Sequence, residues 1–173
     1  MSHVFLIGFM GAGKSTVGQR VAVLVSLPFI DLDHAIVVEQ GRSIAEIFAE
    51  QGEARFRELE RDALASLADA PFAVVACGGG VVTTAESRSV LRELGTVVYL
   101  RTTVAETFAR ISDRSSRPLL VGPDAEHNAV ALLEARSVLY EEIADIEIDT
   151  VGRSPAALAE EIAGLLDERK AVR

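Results

Sequence analysis

The sequence predicts an α/β fold, a five-stranded parallel sheet with helices on both faces, built around a phosphate-binding loop. Three observations carry this. Gly8-Phe9-Met10-Gly11-Ala12-Gly13-Lys14-Ser15 fits the pattern G-x-x-x-x-G-K-S/T in full. Short apolar runs alternate along the chain with longer stretches that read as amphipathic helices. The composition is 49% hydrophobic but only 5% aromatic, an aliphatic stock suited to strands buried on both faces.

The elements follow in order. Val4–Ile7 reads as the first strand, and the phosphate-binding loop follows it directly. A helix comes next, with Val17, Val21, Leu24 and Val25 on one face. Phe29-Ile30 leads into Asp31 as a short second strand. Phe72–Ala76, Thr96–Leu100 and Ile146–Ile148 read as strands three to five. Helix starts are marked by capping-box spacings at Ser43/Glu46, Thr83/Glu86 and Thr103/Glu106. Ser154 before Pro155 is an N-cap with proline at the first helical position. Gly52 and Gly95 fit helix ends. Phe56, Leu59, Ala63, Leu64 and Leu67 make one apolar face, and Leu158, Ile162, Leu165 and Leu166 another. The stretch from Ser112 to Asp124 breaks the pattern with two prolines, a glycine and two arginines. A loop of that length in a compact fold is either a solvated surface loop or functional, and here it suits a lid over the phosphates.

Bulk properties bound the function. The 173 residues suit one domain with a sizeable core. The net charge of −9 argues against broad nucleic-acid binding, and no apolar run is long enough to span a membrane. With the loop starting at Gly8, no room is expected ahead of it for a targeting segment. Cys77, the sole cysteine, excludes an intramolecular disulfide and a cysteine-rich metal site. These features predict a cytoplasmic protein, or a mature form whose presequence was removed.

The loop identifies a nucleoside triphosphate as ligand. Its glycines let backbone N–H groups turn inward around a phosphate, and the following helix adds its dipole. Gly11, Ala12, Gly13, Lys14, Ser15 and Thr16 face the phosphates in this reading. Lys14 reaches the β- and γ-phosphates, and Ser15 offers its hydroxyl to Mg²⁺. Asp31 and Asp33 stand at the carboxyl end of strand two, where open α/β sheets bind ligands. Phosphoryl transfer needs one carboxylate for Mg²⁺ and one to orient the attacking hydroxyl. The alternative, Asp33 as the cap of the next helix, leaves Asp31 unexplained. Strand three ends in Ala76-Cys77-Gly78-Gly79-Gly80 with no acid, which turns the magnesium role toward Asp31. The three glycines admit close backbone approach by a ligand, or form a flexible turn. Arg57, Arg117 and Arg136 are candidates for gripping carboxylates and phosphates. His3, His34 and His127 share no ligand spacing, and Cys77 suits a small buried core residue.

Taken together these motifs resemble the shikimate kinase family over nearly the whole chain. The resemblance rests on Gly8–Ser15, Phe29-Ile30-Asp31-Leu32-Asp33, Ser43–Phe48, Phe56-Arg57-Glu58-Leu59-Glu60, Gly78-Gly79-Gly80, Arg117-Pro118-Leu119-Leu120, and Arg136 followed by Leu139-Tyr140. It implies a sheet of the nucleoside-monophosphate-kinase type, a substrate-binding region near 33–61 and a lid near 112–124. It implies transfer of the γ-phosphoryl of ATP to the 3-hydroxyl of shikimate, in the route to chorismate and aromatic amino acids. By the same resemblance Lys14, Asp33 and Arg117 are catalytic, with Asp33 the base. Asp31 supports Mg²⁺ through water, and Arg117 contacts the phosphates from the lid. Arg57 and Arg136 grip the substrate carboxylate, and Gly79 and Gly80 help hold the ring. Ile44, Phe48, Phe56, Glu60, Pro118 and Leu119 line the pocket, and Arg110, Arg153 and Pro155 flank the adenine. ATP and shikimate are the implied partners of a monomer that engages neither nucleic acid nor membrane. Two alternatives remain open at the level of sequence: a sugar-acid kinase of the same fold, and a catalytically idle nucleotide-binding switch.

Overall fold

A computed structural model describes residues 2–110 and 124–171. Five strands, β1 (His3–Ile7), β2 (Phe29–Asp31), β3 (Val74–Ala76), β4 (Gly95–Arg101) and β5 (Ile146–Asp149), form one parallel sheet in the order β2-β3-β1-β4-β5. The helices are α1 (Lys14–Leu24), α2 (Leu32–Gln40), α3 (Ile44–Ser66), α4 (Ala85–Leu94), α5 (Val104–Arg110), α6 (Ala125–Ile143) and α7 (Pro155–Ala171).

Strand alternation divides the core. Phe5 and Ile7 of β1, with Val97 and Tyr99 of β4, pack with α2, α3, α4 and α6. Val4, Leu6, Val98 and Leu100 point the other way and pack with α1 and α7. Successive side chains of a strand face opposite sides, so a strand covered on both faces is apolar on both, as β1 is from Val4 to Ile7. A third cluster of Phe9, Val104 and Ala129 seats α5 and α6 beside the phosphate-binding loop.

Several boundaries differ from the sequence reading for identifiable reasons. β3 begins at Val74, not Phe72: Phe72 is 43% exposed, and the Ala73 N–H donates to the His3 ring at 3.2 Å instead of to a ladder partner. The cap of α4 is Thr84, which accepts from the Ser87 N–H, and not Thr83. Thr83 is used up in the 3₁₀ turn Val81–Thr83, where its hydroxyl donates to the Gly80 carbonyl. Leu24 is half exposed and does not join Val17 and Val21 in the core. The capping box at Ser43/Glu46 is fully formed. Gly52 (φ 81°, ψ 168°) breaks α3 into two helical stretches, a left-handed φ that favours glycine. The lid expected near 112–124 lies, apart from Asp124, outside the described residues.

Candidate active site

All strands are parallel, so their carboxyl ends share one edge of the sheet, and the candidate residues gather there. A cavity of about 400 Å³ is lined by Met10 through Val17, Asp31, Asp33, Ala76 through Gly79, Arg110, Arg153, Pro155 and Leu158. It therefore unites the phosphate-binding loop, both aspartates and the start of the triple glycine.

The loop has the backbone its sequence demands. Gly8, Gly11 and Gly13 have φ of 142°, 74° and 90°, and Gly13 is the left-handed N-cap of α1. Lys14 follows it, and its Nζ donates to the carbonyls of Gly8 at 2.8 Å and Phe9 at 2.9 Å. The loop is braced from outside by Thr107 of α5, whose buried hydroxyl donates to the Met10 carbonyl at 2.9 Å. Nothing in the sequence marked Thr107, which meets the loop only through the tertiary fold.

Asp31 and Asp33 separate in role. Asp31, not Asp33, is the N-cap of α2, accepting from the His34 N–H at 3.2 Å with Oδ1. Its Oδ2 accepts from the Ser15 hydroxyl at 2.6 Å. A hydroxyl and a carboxylate meeting beside a phosphate site are a fitting donor set for Mg²⁺, which takes few protein oxygens and fills the rest of its shell from phosphate and water. Among the described residues no group of three or more His, Cys, Asp or Glu is placed to hold a metal.

Asp33 lies in the first turn of α2 and faces Gly78. A Cβ at position 78 would stand 2.7 Å from Asp33 Oδ1 and 2.7 Å from Glu60 Oε1. Glu60 is 1% exposed, and its Oε1 has no hydrogen-bond partner among the described residues. Its Oε2 accepts from Arg57 Nη1 at 2.7 Å. Burial pushes the Glu60 carboxyl up to about 7, against the pull of the Arg57 cation. Burial opposes the Arg57 cation in turn, yet Glu60 and Glu53 beside it hold its pKa above the ordinary arginine value.

Arg57, Gly80 and Arg136 are not among the cavity walls; they form an adjoining cluster. The Arg57 guanidinium lies against the Gly80 Cα, and Arg136 Nη1 donates to the Gly79 carbonyl at 3.3 Å. Arg136 is 8% exposed and its Nε–H is unpartnered among the described residues. That buried donor fits an incoming carboxylate. On the apolar side, Phe48 and Phe56 sit with ring centroids 5.0 Å apart, and Ile44 packs in the same cluster.

The remaining predicted residues flank the loop. Arg110 donates to the Thr150 carbonyl at 2.8 Å and pairs with Glu106, while Arg153 pairs with Glu161. Both line the cavity with Pro155, the first residue of α7, which Ser154 caps. Arg117, Pro118 and Leu119 lie outside the described residues. Cys77 is buried beside the site, its thiol held well above its usual range by burial, which suits a core residue.

Three comparisons with known proteins place the chain among its relatives. A family model described as shikimate kinase matches residues 10–167. A shikimate kinase of Enterococcus faecalis is 41% identical over 170 residues, covering 97% of this chain and 100% of that one. The solved structure of a shikimate kinase from Acinetobacter baumannii in complex with shikimate superposes with a TM-score of 0.93. It is 38% identical and covers 98% of this chain and 95% of that one. A sugar kinase structure from Janibacter is similar at a TM-score of 0.65 and 24% identity, covering 96% of this chain and 95% of that one, a likeness of fold alone.

Proposed function

The chain belongs to the shikimate kinase family, and from that premise we propose how its own residues carry out the reaction. It is an ATP-dependent kinase that transfers the γ-phosphoryl of ATP to the 3-hydroxyl of shikimate, giving shikimate 3-phosphate and ADP, in the shikimate pathway. The observation that carries the residue-level reading is the grouping of Asp33 and Glu60 at Gly78, Arg136 at Gly79 and Arg57 at Gly80, beside the phosphate-loop cavity that Asp33 lines.

The loop N–H groups and Lys14 hold the triphosphate, and Lys14 offsets charge on the transferring group. Arg57 and Arg136 take the substrate carboxylate, which fixes the ring over Gly79 and Gly80. Asp33 orients the 3-hydroxyl and accepts its proton as the oxygen attacks the γ-phosphorus and the bond to the bridging oxygen of ADP breaks. Ser15 and, through water, Asp31 would hold Mg²⁺, which when bound neutralises phosphate charge. Arg110, Arg153 and Pro155 flank the adenine. Arg117 adds positive charge at the phosphates in this reading, from the 112–124 segment acting as a lid on one compact domain. We place the protein in the cytoplasm as a monomer; no helix of the described residues is long and apolar enough to cross a membrane.

The test is ADP formation from ATP and Mg²⁺ with shikimate, with gluconate, and with neither. ADP formation that depends on shikimate is expected. Dependence on gluconate alone would move the chain to the sugar-acid kinases, and tight ATP binding without turnover would favour a nucleotide-binding switch.

A further inference from the structure

The Gly79 carbonyl is held from α6 by two side chains. One is Arg136, whose Nη1 donates at a long 3.3 Å; the other is Tyr140, whose hydroxyl makes the closer bond. Four residues apart on one helix, the two side chains lie on the same face, one turn above the other. Tyr140 is fully buried, and its ring stacks on Tyr99 of β4 with centroids 5.0 Å apart and planes 28° apart. That packing fixes where the hydroxyl points. Burial also raises the phenol pKa, so the group stays a neutral donor.

We propose that the Tyr140 hydroxyl is a positioning group for recognition of the substrate carboxylate. It fixes the Gly79 carbonyl against α6, and that carbonyl in turn holds Arg136 through Nη1 with the Nε–H left for the substrate. This rests on the reading that Arg136 receives the substrate carboxylate. The unpartnered Nε–H offers that carboxylate an edge of the guanidinium that does not use Nη1, so the bond to Gly79 stays in place while substrate binds. Without the Tyr140 hydroxyl, the part-buried Gly79 carbonyl keeps just the long Arg136 bond from α6, so the carbonyl and the guanidinium it anchors lose their fixed position, and the cost falls on substrate binding. The Gly79–Gly80 peptide is trans, like all peptide bonds described, so its N–H points opposite to the carbonyl. Whatever fixes the carbonyl on α6 therefore also fixes the direction of the Gly80 N–H.

Tyr99 provides an internal control. It is 1% exposed and stacks on the same ring, but it belongs to β4 and makes no hydrogen bond among the described residues to Arg136, the other holder of the Gly79 carbonyl, so its loss tests packing alone. Steady-state kinetics of Tyr140→Phe and Tyr99→Phe separate positioning from general packing. For Tyr140→Phe the KM for shikimate should rise about 3- to 10-fold, the loss of one hydrogen bond, while the KM for ATP and kcat move less than about twofold. Tyr99→Phe should leave all three within the same limit. A shikimate KM unchanged in Tyr140→Phe, an equal rise for both substrates, or the same rise in Tyr99→Phe would overturn the proposal. Should Tyr140→Phe not fold, fluorotyrosine labelling of the intact chain answers the same question. The chain has two tyrosines, and Tyr99→Phe assigns the Tyr140 resonance. It should shift with shikimate and not with ADP; no shift with shikimate overturns the proposal. Arg136→Lys keeps the two readings distinguishable. If it leaves the shikimate KM unchanged, the carboxylate assignment itself fails. If it weakens shikimate while Tyr140→Phe does not, only the role of Tyr140 fails.

Discussion

Asp33 and Glu60, from α2 and α3, bring one carboxylate oxygen each to the same point, the position a side chain at residue 78 would occupy. Glycine is required there by the space, since the two oxygens fill what a methyl group would need.

Gly78→Ala should therefore disturb both carboxylates at once. A Cβ at 2.7 Å from each oxygen is closer than real contacts allow, and Glu60 is buried and tied to Arg57. We expect kcat/KM for shikimate to fall about 10- to 100-fold and stability to drop by about 1–3 kcal/mol, as for other overpacked sites. A variant with parental kinetics would show that the pair yields easily and is not held for function.

The Glu60 carboxyl gives a pH signature. Its folded pKa of about 7 lies above the ordinary 4.5. Below about 4.5 both folded and unfolded chains hold the proton, and the group costs the fold nothing. Between the two values the folded chain keeps a proton that the unfolded chain has lost, so stability falls as pH rises through this window and levels off above it. Glu60→Gln removes that slope. The stability difference between variant and parent, from urea unfolding at pH 5 to 8, should shift in favour of the variant by about 1–3 kcal/mol on going up. A pH-independent difference would contradict the raised pKa.

The two aspartates can be told apart with isosteric amides. Asparagine caps a helix as well as aspartate, so Asp31→Asn should leave stability within about 0.5 kcal/mol. It should raise the Mg²⁺ concentration needed for half-maximal rate by about tenfold or more. Asp33→Asn should lower kcat by about 10²- to 10⁴-fold while ATP still binds, as loss of a general base requires. The opposite pattern in a titration of Mg²⁺ and ATP would exchange the two roles.

His3 should prove structural. Its Nε2 lies 2.9 Å from the Leu67 carbonyl, and Nδ1 accepts from Ala73, so one neutral tautomer ties β1 to the end of α3 and the approach to β3. His3→Ala leaves both backbone groups unpaired and should cost about 2–3 kcal/mol in urea unfolding. The residue sits at the amino end of β1, away from the cleft, so neither KM should change. A selective change in substrate KM would refute this.

The sequence made legible whatever is contiguous. The phosphate-binding loop is eight consecutive residues, and strands one, three and four are near-continuous apolar runs, so most of the sheet and the nucleotide end are legible from sequence. Local competition blurred the next level. The 3₁₀ turn after the glycines moved the α4 cap from Thr83 to Thr84, and the His3 ring took the Ala73 N–H and shortened β3. Least legible were contacts made across the fold. Glu60 was noticed only as part of a resemblance, since its bond to Arg57 is an ordinary helix spacing and its burial against Gly78 is not. Tyr140 and Thr107 act on backbone carbonyls about 60 and 97 residues away, and no spacing rule reaches that far.

The placement of β1 has a consequence for how the chain comes to be. Its five residues are all buried, and both of its ladders run to distant partners, Val4 to Val74 on one side and His3 to Gly95 on the other. A chain made from its amino end therefore presents an apolar strand with two open edges for most of the first hundred residues. Such an edge is a template for pairing with another chain. A chain truncated before β4 therefore leaves one edge of β1 unpaired and should aggregate more readily than the full chain.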